Sequence, residues 1–214
     1  MKKIFILLSI ISLPFLYGQQ TPAKKQTQDI VITNCFIHIG NGTVIENGAI
    51  GFSNGKINYV GKNISKEHSL PSIFSDKNPR IINAEGKHIY PGFIAMNSTL
   101  GLVEIDAVRA SDDEDELGDF LPHIRSAIAY NAESKVIESV RPNGILMAQV
   151  VPRGGTISGS SSVMQLDAWN WEDALIKTDE GIHLNWPNPY SRGRWWLGED
   201  PTLKENKNYS KSIE

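Results

Sequence analysis

The sequence predicts an α/β fold with an N-terminal β-meander, and two observations lead to that prediction. From Asp29 onward, apolar and polar residues alternate with a period of two, which is typical of strands with one buried face. Between Phe93 and Val151, an apolar strand is followed by a stretch with helical spacing and then by a second apolar strand. That order is typical of a βαβ unit, in which the two strands are parallel.

Strands separated by turn residues predict an antiparallel meander over residues 29–60. One face of the first strand carries Val31, Thr33, Cys35, Ile37 and Ile39, and the other carries Ile30, Ile32 and Phe36. We expect Cys35 to be buried or reduced rather than paired. Asn54-Gly55 lies between two further strands. It is a strong signal for a two-residue hairpin, because both positions tolerate positive φ.

The remaining elements follow from changes in period and from Pro and Gly residues, which break regular structure. Further strands are predicted at Arg80–Asn83, Lys87–Tyr90, Phe93–Met96, Ile145–Val151, Val163–Leu166 and Ile182–Trp186, and helical stretches at Ile124–Ile128, Glu133–Val140, Asn170–Ile176 and Leu203–Glu214. Glu46-Asn47-Gly48 is predicted to be a turn. Because no stop signal follows the last stretch, we expect the chain to be the N-terminal part of a larger protein, or a truncated product.

Composition excludes several classes of protein. With 214 residues, 40% of them hydrophobic, the chain can form a packed core, and whole-chain disorder is excluded. The net charge of -3 argues against a nucleic-acid binder, which would be basic. Cys35 is the single cysteine, so no intrachain disulfide forms, and a Cys-rich zinc module is excluded.

The first residues have the pattern of an export signal. Lys2 and Lys3 precede an apolar run from Ile4 to Leu16, too short to span a bilayer and of the length of a signal peptide's apolar core. We place cleavage near Gly18, so residues 1–18 form the signal peptide and residues 19–28 a linker. The sequence therefore predicts an exported protein, periplasmic or extracellular, with no membrane span after signal removal.

The order of these motifs resembles one family. The meander followed by Ile89-Tyr90-Pro91-Gly92-Phe93-Ile94 is similar to the amidohydrolase superfamily, and within it to imidazolonepropionase-like exported amidohydrolases. The resemblance implies that residues 29–90 form half of a composite β-sandwich. It also implies that residues 91–214 form the N-terminal part of a (β/α)₈ TIM-type barrel. A divalent metal, zinc, is the cofactor that the family implies.

The family's first barrel strand carries Asp-x-His-x-His, and two histidines two residues apart on a strand reach one metal ion. The matching positions in this chain are Ala95, Asn97 and Thr99. An amide and a hydroxyl are poor zinc ligands, so we predict no metal ligand and no catalytic residue on this strand.

A glycine-rich segment, residues 151–159, resembles the loop after a later barrel strand of the same subgroup. Gly154, Gly155 and Ser158 could contribute to a backbone cradle for a carboxylate or phosphate. The alternative is a tight turn of small residues, because glycine mostly marks backbone geometry. No serine in this segment fits the G-x-S-x-G pattern of a nucleophile elbow.

Three other features of the sequence could form sites. The acidic run Ser111–Glu116 is either a solvated loop over the site mouth or a Ca²⁺ site, and it lacks the spacing of a calcium loop. The histidines show no metal-binding spacing; they are His38, His68, His88, His123 and His183. Five tryptophans crowd the C-terminal quarter and form either a stacking platform for a carbohydrate or peptide, or a cover or interface; they are Trp169, Trp171, Trp186, Trp195 and Trp196.

Two functions remain open at this point. By resemblance, the chain is a hydrolase of carbon–nitrogen bonds in a small cyclic amide or peptide-like substrate, using a metal-activated water. Alternatively, because Asn97 and Thr99 replace the histidines, it is a non-catalytic relative that acts as a binding or partner subunit. A small-molecule ligand, a homo-oligomer or a partner amidohydrolase subunit fits either function.

Overall fold

A computed structural model describes residues 21–63 and 79–213 of the chain. The signal peptide predicted over residues 1–18, the first two residues of the predicted linker, and His68 lie outside the described residues. The chain divides into two compact units, the first ending at Gly92 and the second beginning at Phe93.

The described residues of the first unit form a five-stranded sheet. Its strands are Ile30–His38 (β1), Val44–Ser53 (β2), Lys56–Lys62 (β3), Arg80–Asn83 (β4) and His88–Ile89 (β5). Strands β1, β2 and β3 pair in antiparallel order, as the alternation predicts. Strands β4 and β5 pair in parallel with the other side of β1, which is therefore the central strand.

Local turn chemistry explains the shape of β2 and β3. Asn54 and Gly55 have φ values of +51° and +72°, as the two-residue hairpin requires. The turn predicted at residues 46–48 is wrong, because β2 continues through it. Asn47 adopts φ of +47° there, and Gly48 still pairs with Cys35 across the ladder.

The buried face of this sheet follows the predicted alternation. Val31, Cys35 and Ile37 are 1%, 0% and 3% exposed. The Cys35 thiol donates to the carbonyl oxygen of Gly48 at 3.2 Å. Burial raises the pKa of this thiol, so it stays protonated and packs as a small apolar side chain.

The second unit contains a four-stranded sheet with short helices. Its strands are Phe93–Ser98 (β6), Ile145–Val150 (β7), Ile157–Gln165 (β8) and Leu175–Leu184 (β9), in the spatial order β6-β7-β8-β9. The helices are Ser126–Ala129 (α1), Lys135–Val140 (α2) and Trp171–Ala174 (α3). A separate two-stranded ribbon, Tyr190–Arg192 (β10) with Leu203–Glu205 (β11), precedes the helix Tyr209–Ile213 (α4).

The prediction of a partial (β/α)₈ barrel is wrong. Strands β6 and β7 are parallel, as the βαβ pattern predicts. Strand β8, however, pairs antiparallel with β7, and β9 pairs antiparallel with β8. The segment between β7 and β8 is residues 151–156, too short for a crossover, which needs a dozen or more residues. The described residues therefore form open sheets with no closed barrel. That residues 29–90 form half of a composite β-sandwich stays a prediction.

Side-chain caps begin two of the predicted helices, and a third prediction is wrong at its start. Ser134 begins α2, its Oγ accepting from the Val136 N–H at 3.2 Å, and Asn170 begins α3 by accepting from the Asp173 N–H at 2.8 Å. The helix predicted from Leu203 is wrong at its start, because residues 203–205 pair with residues 190–192 as a strand instead.

One face of the four-stranded sheet is covered. Ala148, Val150 and Met164 lie on it at 0% exposure and pack with Ile137 and Tyr130 in one cluster. On the opposite face, Ile94 pairs in register with Met147 and is 47% exposed. No helix among the described residues is long and apolar enough to cross a membrane.

Replacing Ile137 with alanine should lower the free energy of unfolding by about 2–5 kcal/mol, because it removes buried atoms and leaves a cavity. Ile137 is 1% exposed, whereas its neighbour Val136 is 37% exposed. Urea denaturation monitored by circular dichroism measures the difference. The control Val136→Ala should cost clearly less, and equal losses in both variants would contradict this account of the core.

Met96, which is 66% exposed, lies on β6, at one end of the strand order. Edge strands with apolar side chains recruit other chains, so Met96→Lys should reduce hydrophobic-dye binding and self-association in size-exclusion chromatography. Leu117→Lys, at a residue 95% exposed outside the sheet, is the matched control and should change neither. Self-association that is the same in wild type and Met96→Lys would show that β6 is not the surface responsible.

Candidate functional site

The candidate site lies where the two parallel strands end. The carboxyl ends of β6 and β7 meet at the same edge of the sheet, where ligands of α/β folds commonly bind. The Val151 N–H donates to the Ser98 carbonyl oxygen at 2.9 Å and ties the two ends together. Asn97 and Arg153 both lie at this edge, 56 residues apart in sequence.

Asn97 has an unusual backbone conformation. Its φ of +52° lies in the left-handed region, which asparagine tolerates better than most residues. The pairing of β6 with β7 is irregular between Ala95 and Ser98, so Asn97 falls in a local bulge. The Asn97 N–H donates to Gln149 Oε1 at 3.2 Å instead of to a ladder carbonyl. Bulges of this kind redirect a side chain at the end of a strand.

The guanidinium of Arg153 binds Asn97 at two points. Nη1 donates to Asn97 Oδ1 at 2.9 Å, and Nη2 donates to the Asn97 carbonyl oxygen at 2.9 Å. The main-chain N–H of Arg153 donates to the Glu114 carbonyl oxygen at 2.6 Å. Because a guanidinium stays protonated, a permanent positive charge is fixed at the end of β6.

Arg153 also influences two titratable neighbours. Burial, and secondarily the charge of Arg153, lowers the pKa of His183 from its ordinary 6.5. Burial, with Asp112 as the next cause, raises the pKa of Glu114, and Arg153 partly opposes that rise. At neutral pH, His183 is therefore uncharged, and it lies close enough to the Arg153 charge to respond to it.

The glycine-rich segment is closely packed and bound by Asn185. Asn185 Nδ2 donates to the carbonyl oxygens of Gly154 and Gly155 at 3.2 and 3.0 Å, and to Ser158 Oγ at 2.8 Å. Ser158 Oγ donates to the Gly154 carbonyl oxygen at 2.7 Å. Gly155 has φ of +54°, and a Cβ there would lie 2.8 Å from the Gly118 carbonyl oxygen. Only glycine fits this position.

Two main-chain amides of the same segment already donate hydrogen bonds within the chain. The N–H groups of Thr156 and Ile157 donate to the Asp119 carbonyl oxygen at 2.8 and 2.9 Å. These two amides are satisfied within the chain and are not offered to a ligand. An anion cradle that includes Gly154, Gly155 and Ser158 stays a prediction.

The zinc ion that the resemblance implies does not fit the residues at the end of β6. Asn97 and Thr99 present an amide and a hydroxyl, and Ala95 has no ligand atom. The Asn97 amide oxygen already accepts from the Arg153 guanidinium, whose positive charge would repel a metal cation. Within residues 21–63 and 79–213, no group of three or more His, Cys, Asp or Glu side chains converges on one point.

The acidic run lies beside the same edge. Arg109 Nη1 donates to Asp115 Oδ1 at 2.8 Å. A Cβ on Gly154 would lie 2.9 Å from Asp115 Cβ, so this run packs against the glycine-rich segment. A cavity of about 230 Å³ lies next to it, lined by Asp113, Glu116, His123, Arg125, Ile128 and Pro152 among others. The choice between a solvated loop and a calcium site stays open.

Two further candidate groups have ring or hydrogen-bond contacts of their own. Trp195 and Trp196 contact each other edge to face at 6.1 Å and are 71% and 64% exposed, so both the platform and the interface interpretations stay hypotheses. In the first unit, His38 and His88 are hydrogen bonded to each other. Sequence spacing did not bring out this histidine pair or Arg153, because the contacts join residues 50 and 56 positions apart.

Comparison with solved structures shows the kind of fold. The chain is similar to the crystal structure of an amidohydrolase from Thermotoga maritima MSB8, with a TM-score of 0.64 and 23% sequence identity. The match covers 74% of this chain and 39% of that amidohydrolase. No family model and no curated protein matches the chain. The likeness shows that this chain shares its fold with part of that amidohydrolase. Membership of the amidohydrolase superfamily and of its imidazolonepropionase-like subgroup stays a prediction.

Replacing Arg153 with glutamine should raise the pKa of both His183 and Glu114. Removing the positive charge favours the protonated form of each group, whereas the larger effect of burial remains. Titration of the side-chain resonances by NMR measures both values. Arg192→Gln is the control, since Arg192 is not among the causes of either shift.

The same shift predicts a pH dependence of stability. His183 binds a proton more weakly in the folded state, so the free energy of unfolding should fall as pH drops below 6.5 toward the lower folded pKa. The loss should be smaller in Arg153→Gln. A wild-type pKa of His183 at or above 6.5 would contradict both expectations.

Proposed function

We propose that this chain is part of a non-catalytic, amidohydrolase-like protein that acts as a binding or partner subunit. The observation that carries the proposal is the pair of hydrogen bonds from Arg153 to Asn97, both at 2.9 Å. They put a guanidinium at the end of β6, beside the positions that match the family's metal ligands.

The chemistry of the two alternatives differs at this point. Metal-dependent hydrolysis needs a cation that lowers the pKa of a bound water and polarises the scissile carbonyl. Arg153 bears a positive charge but has no coordination site, so it does not generate a hydroxide ion. Asn97 and Gln149 are neutral amides with no acid–base role near neutral pH.

The same residues suit binding. A guanidinium has five N–H donors, and the contacts with Asn97 use two of them. The three remaining N–H groups suit a planar acceptor such as a carboxylate or an amide carbonyl. Arginine binds a carboxylate with two parallel hydrogen bonds. A small molecule carrying one of these groups is the ligand class that we infer. The acidic run beside the edge disfavours ligands with several negative charges.

The alternative function is hydrolysis of carbon–nitrogen bonds, and its support is the fold likeness to the Thermotoga amidohydrolase. The match covers 39% of that protein, so its hydrolytic activity enters here only as the alternative proposal. Export belongs to the proposal as well. It is supported by Lys2 and Lys3 ahead of the apolar run at residues 4–16.

Metal analysis tests the proposal directly. The purified 214-residue chain, dialysed against buffer without chelator, should contain well under one equivalent of zinc, unchanged in Asn97→Ala. It should also release no product from a panel of cyclic amides and N-acyl amino acids supplied with zinc. Stoichiometric zinc that is lost in Asn97→Ala, and kept in the control Asn143→Ala, would overturn the proposal.

The converse variant checks the reasoning about charge. Asn97→His with Thr99→His restores two imidazoles, and adding Arg153→Gln removes the competing cation. We expect the triple variant to bind more zinc than the double variant, because the guanidinium repels the metal. Equal zinc contents in the two variants would show that Arg153 does not control metal binding here.

A further inference from the structure

The connection between β1 and β2 contains an asparagine followed by glycine, the dipeptide most prone to spontaneous deamidation. In that reaction, the main-chain nitrogen of the glycine attacks the side-chain carbonyl carbon of the asparagine. Glycine permits the attack because no Cβ obstructs the approach. Four such dipeptides occur in the chain, at Asn41-Gly42, Asn47-Gly48, Asn54-Gly55 and Asn143-Gly144. The structure distinguishes them, because the attacking nitrogen must be unhindered and must lose its proton.

The fold holds three of the four attacking nitrogens. The Gly55 N–H donates to Gln26 Oε1 at 2.7 Å. The Gly144 N–H donates to the carbonyl oxygen three residues before it at 2.9 Å. Gly48 is buried in β2, where a Cβ would lie 2.7 Å from Ile37 Cδ1. An amide that donates a hydrogen bond or is closely packed cannot attack its neighbour without losing these contacts.

The nitrogen of Gly42 differs from these three. Among the described residues, no acceptor receives the Gly42 N–H. Both Asn41 and Gly42 are exposed, and a Cβ on Gly42 would have no heavy atom within 4 Å apart from its chain neighbours. This nitrogen therefore lies in open space and can move toward the Asn41 side chain.

The Asn41 side chain is already turned toward the main chain that follows it. Its Oδ1 accepts from the Thr43 N–H at 3.0 Å, in an Asx turn that spans Gly42. This bond holds the side-chain carbonyl beside the attacking nitrogen, which favours the reactive geometry. The same N–H faces the oxygen that becomes negative in the tetrahedral intermediate, and a donor there stabilises that charge. The Ile39 N–H donates to the Thr43 carbonyl oxygen at 3.1 Å and closes the turn.

We propose that Asn41 is a modification site of this protein, at which the native fold directs deamidation. The Gly42 nitrogen loses its proton and bonds to Asn41 Cγ, the Cγ–Nδ2 bond breaks, and Nδ2 leaves as ammonia with that proton. Water then opens the succinimide ring. Cleavage of the bond between Cγ and the Gly42 nitrogen gives aspartate, and cleavage at the main-chain carbonyl gives isoaspartate. One water molecule is consumed and one ammonia is released, with no oxidant or reductant.

The product changes the connection between β1 and β2 in two ways. Each deamidated molecule gains one negative charge, and isoaspartate also adds one carbon to the main chain between Ile39 and Thr43. The fraction of modified molecules rises with the age of the protein, because the reaction is spontaneous. The modification is independent of Arg153 and of the proposed binding function, because Asn41 lies in the first unit.

Peptide mapping by mass spectrometry tests the site. The untagged chain is incubated for several days at physiological temperature and mildly alkaline pH, and is then digested at acidic pH, where deamidation is slow. We expect the native protein to convert Asn41 about tenfold or more faster than any of the other three asparagines. Isoaspartate should be the larger product, as labelling by an isoaspartyl methyltransferase shows. In guanidinium chloride the fold no longer holds the glycine amides, so all four asparagines should convert at similar rates.

Two variants separate the effect of the fold from that of the sequence. Gln26→Ala releases the Gly55 N–H, so it should raise the conversion of Asn54 and leave that of Asn41 unchanged. Asn41→Gln should remove the main modified peptide, because glutamine would have to form a six-membered ring.

Circular dichroism checks that each variant is folded. If Gln26→Ala does not fold, the comparison of native with denatured wild type still decides the matter. Equal rates at Asn41 and Asn54 in the native wild type, the same pattern in native and denatured protein, or no rise at Asn54 in folded Gln26→Ala would overturn the proposal.

Discussion

The parallel pairing of β6 with β7 is the constraint on which the candidate site depends. Parallel strands need a long connection between them, and residues 99–144 provide it, with α1 and α2 packed on one face of the sheet. Ala95 pairs in register with Ala148, and this register brings Asn97 and Arg153 to the same edge. If the strands were antiparallel, the two carboxyl ends would lie at opposite edges and these residues could not meet.

The short connection between β7 and β8 explains why the described sheet does not continue as a barrel. Residues 151–156 turn the chain back at once, so β8 runs antiparallel to β7. Asn185 secures this turn through the carbonyl oxygens of Gly154 and Gly155. The turn that ends the parallel part of the sheet also presents Arg153 beside Asn97, so sheet topology and site geometry have a common cause.

How far the sequence predicts this molecule depends on the range of each interaction. The Asn54-Gly55 hairpin, the start of a helix at Asn170 and the burial of Cys35 were predicted correctly, because each depends on residues nearby in sequence. The barrel was predicted wrongly, because resemblance at Pro91-Gly92-Phe93-Ile94 describes one strand and not the direction of later strands. The departure from the family's ligands at Asn97 was visible in the sequence, but the guanidinium that binds Asn97 was not.

Two polar pairs among the described residues, Arg153 with Asn97 and His38 with His88, arise in the same way. Arg153 reaches Asn97, and His38 reaches His88, where two parallel strands run side by side. Motifs such as His-x-His detect ligands on one strand, since their spacing is a property of a single strand. A pair assembled across strands has no such spacing, and only the strand register specifies it. The rings of Phe36 and Tyr90 stack on the histidines, and Gln149 Oε1 accepts from the Asn97 N–H, so neighbouring side chains restrict the orientation of both pairs. In both places, the contact comes from strand pairing rather than from a local motif, and a search by motif alone would overlook both.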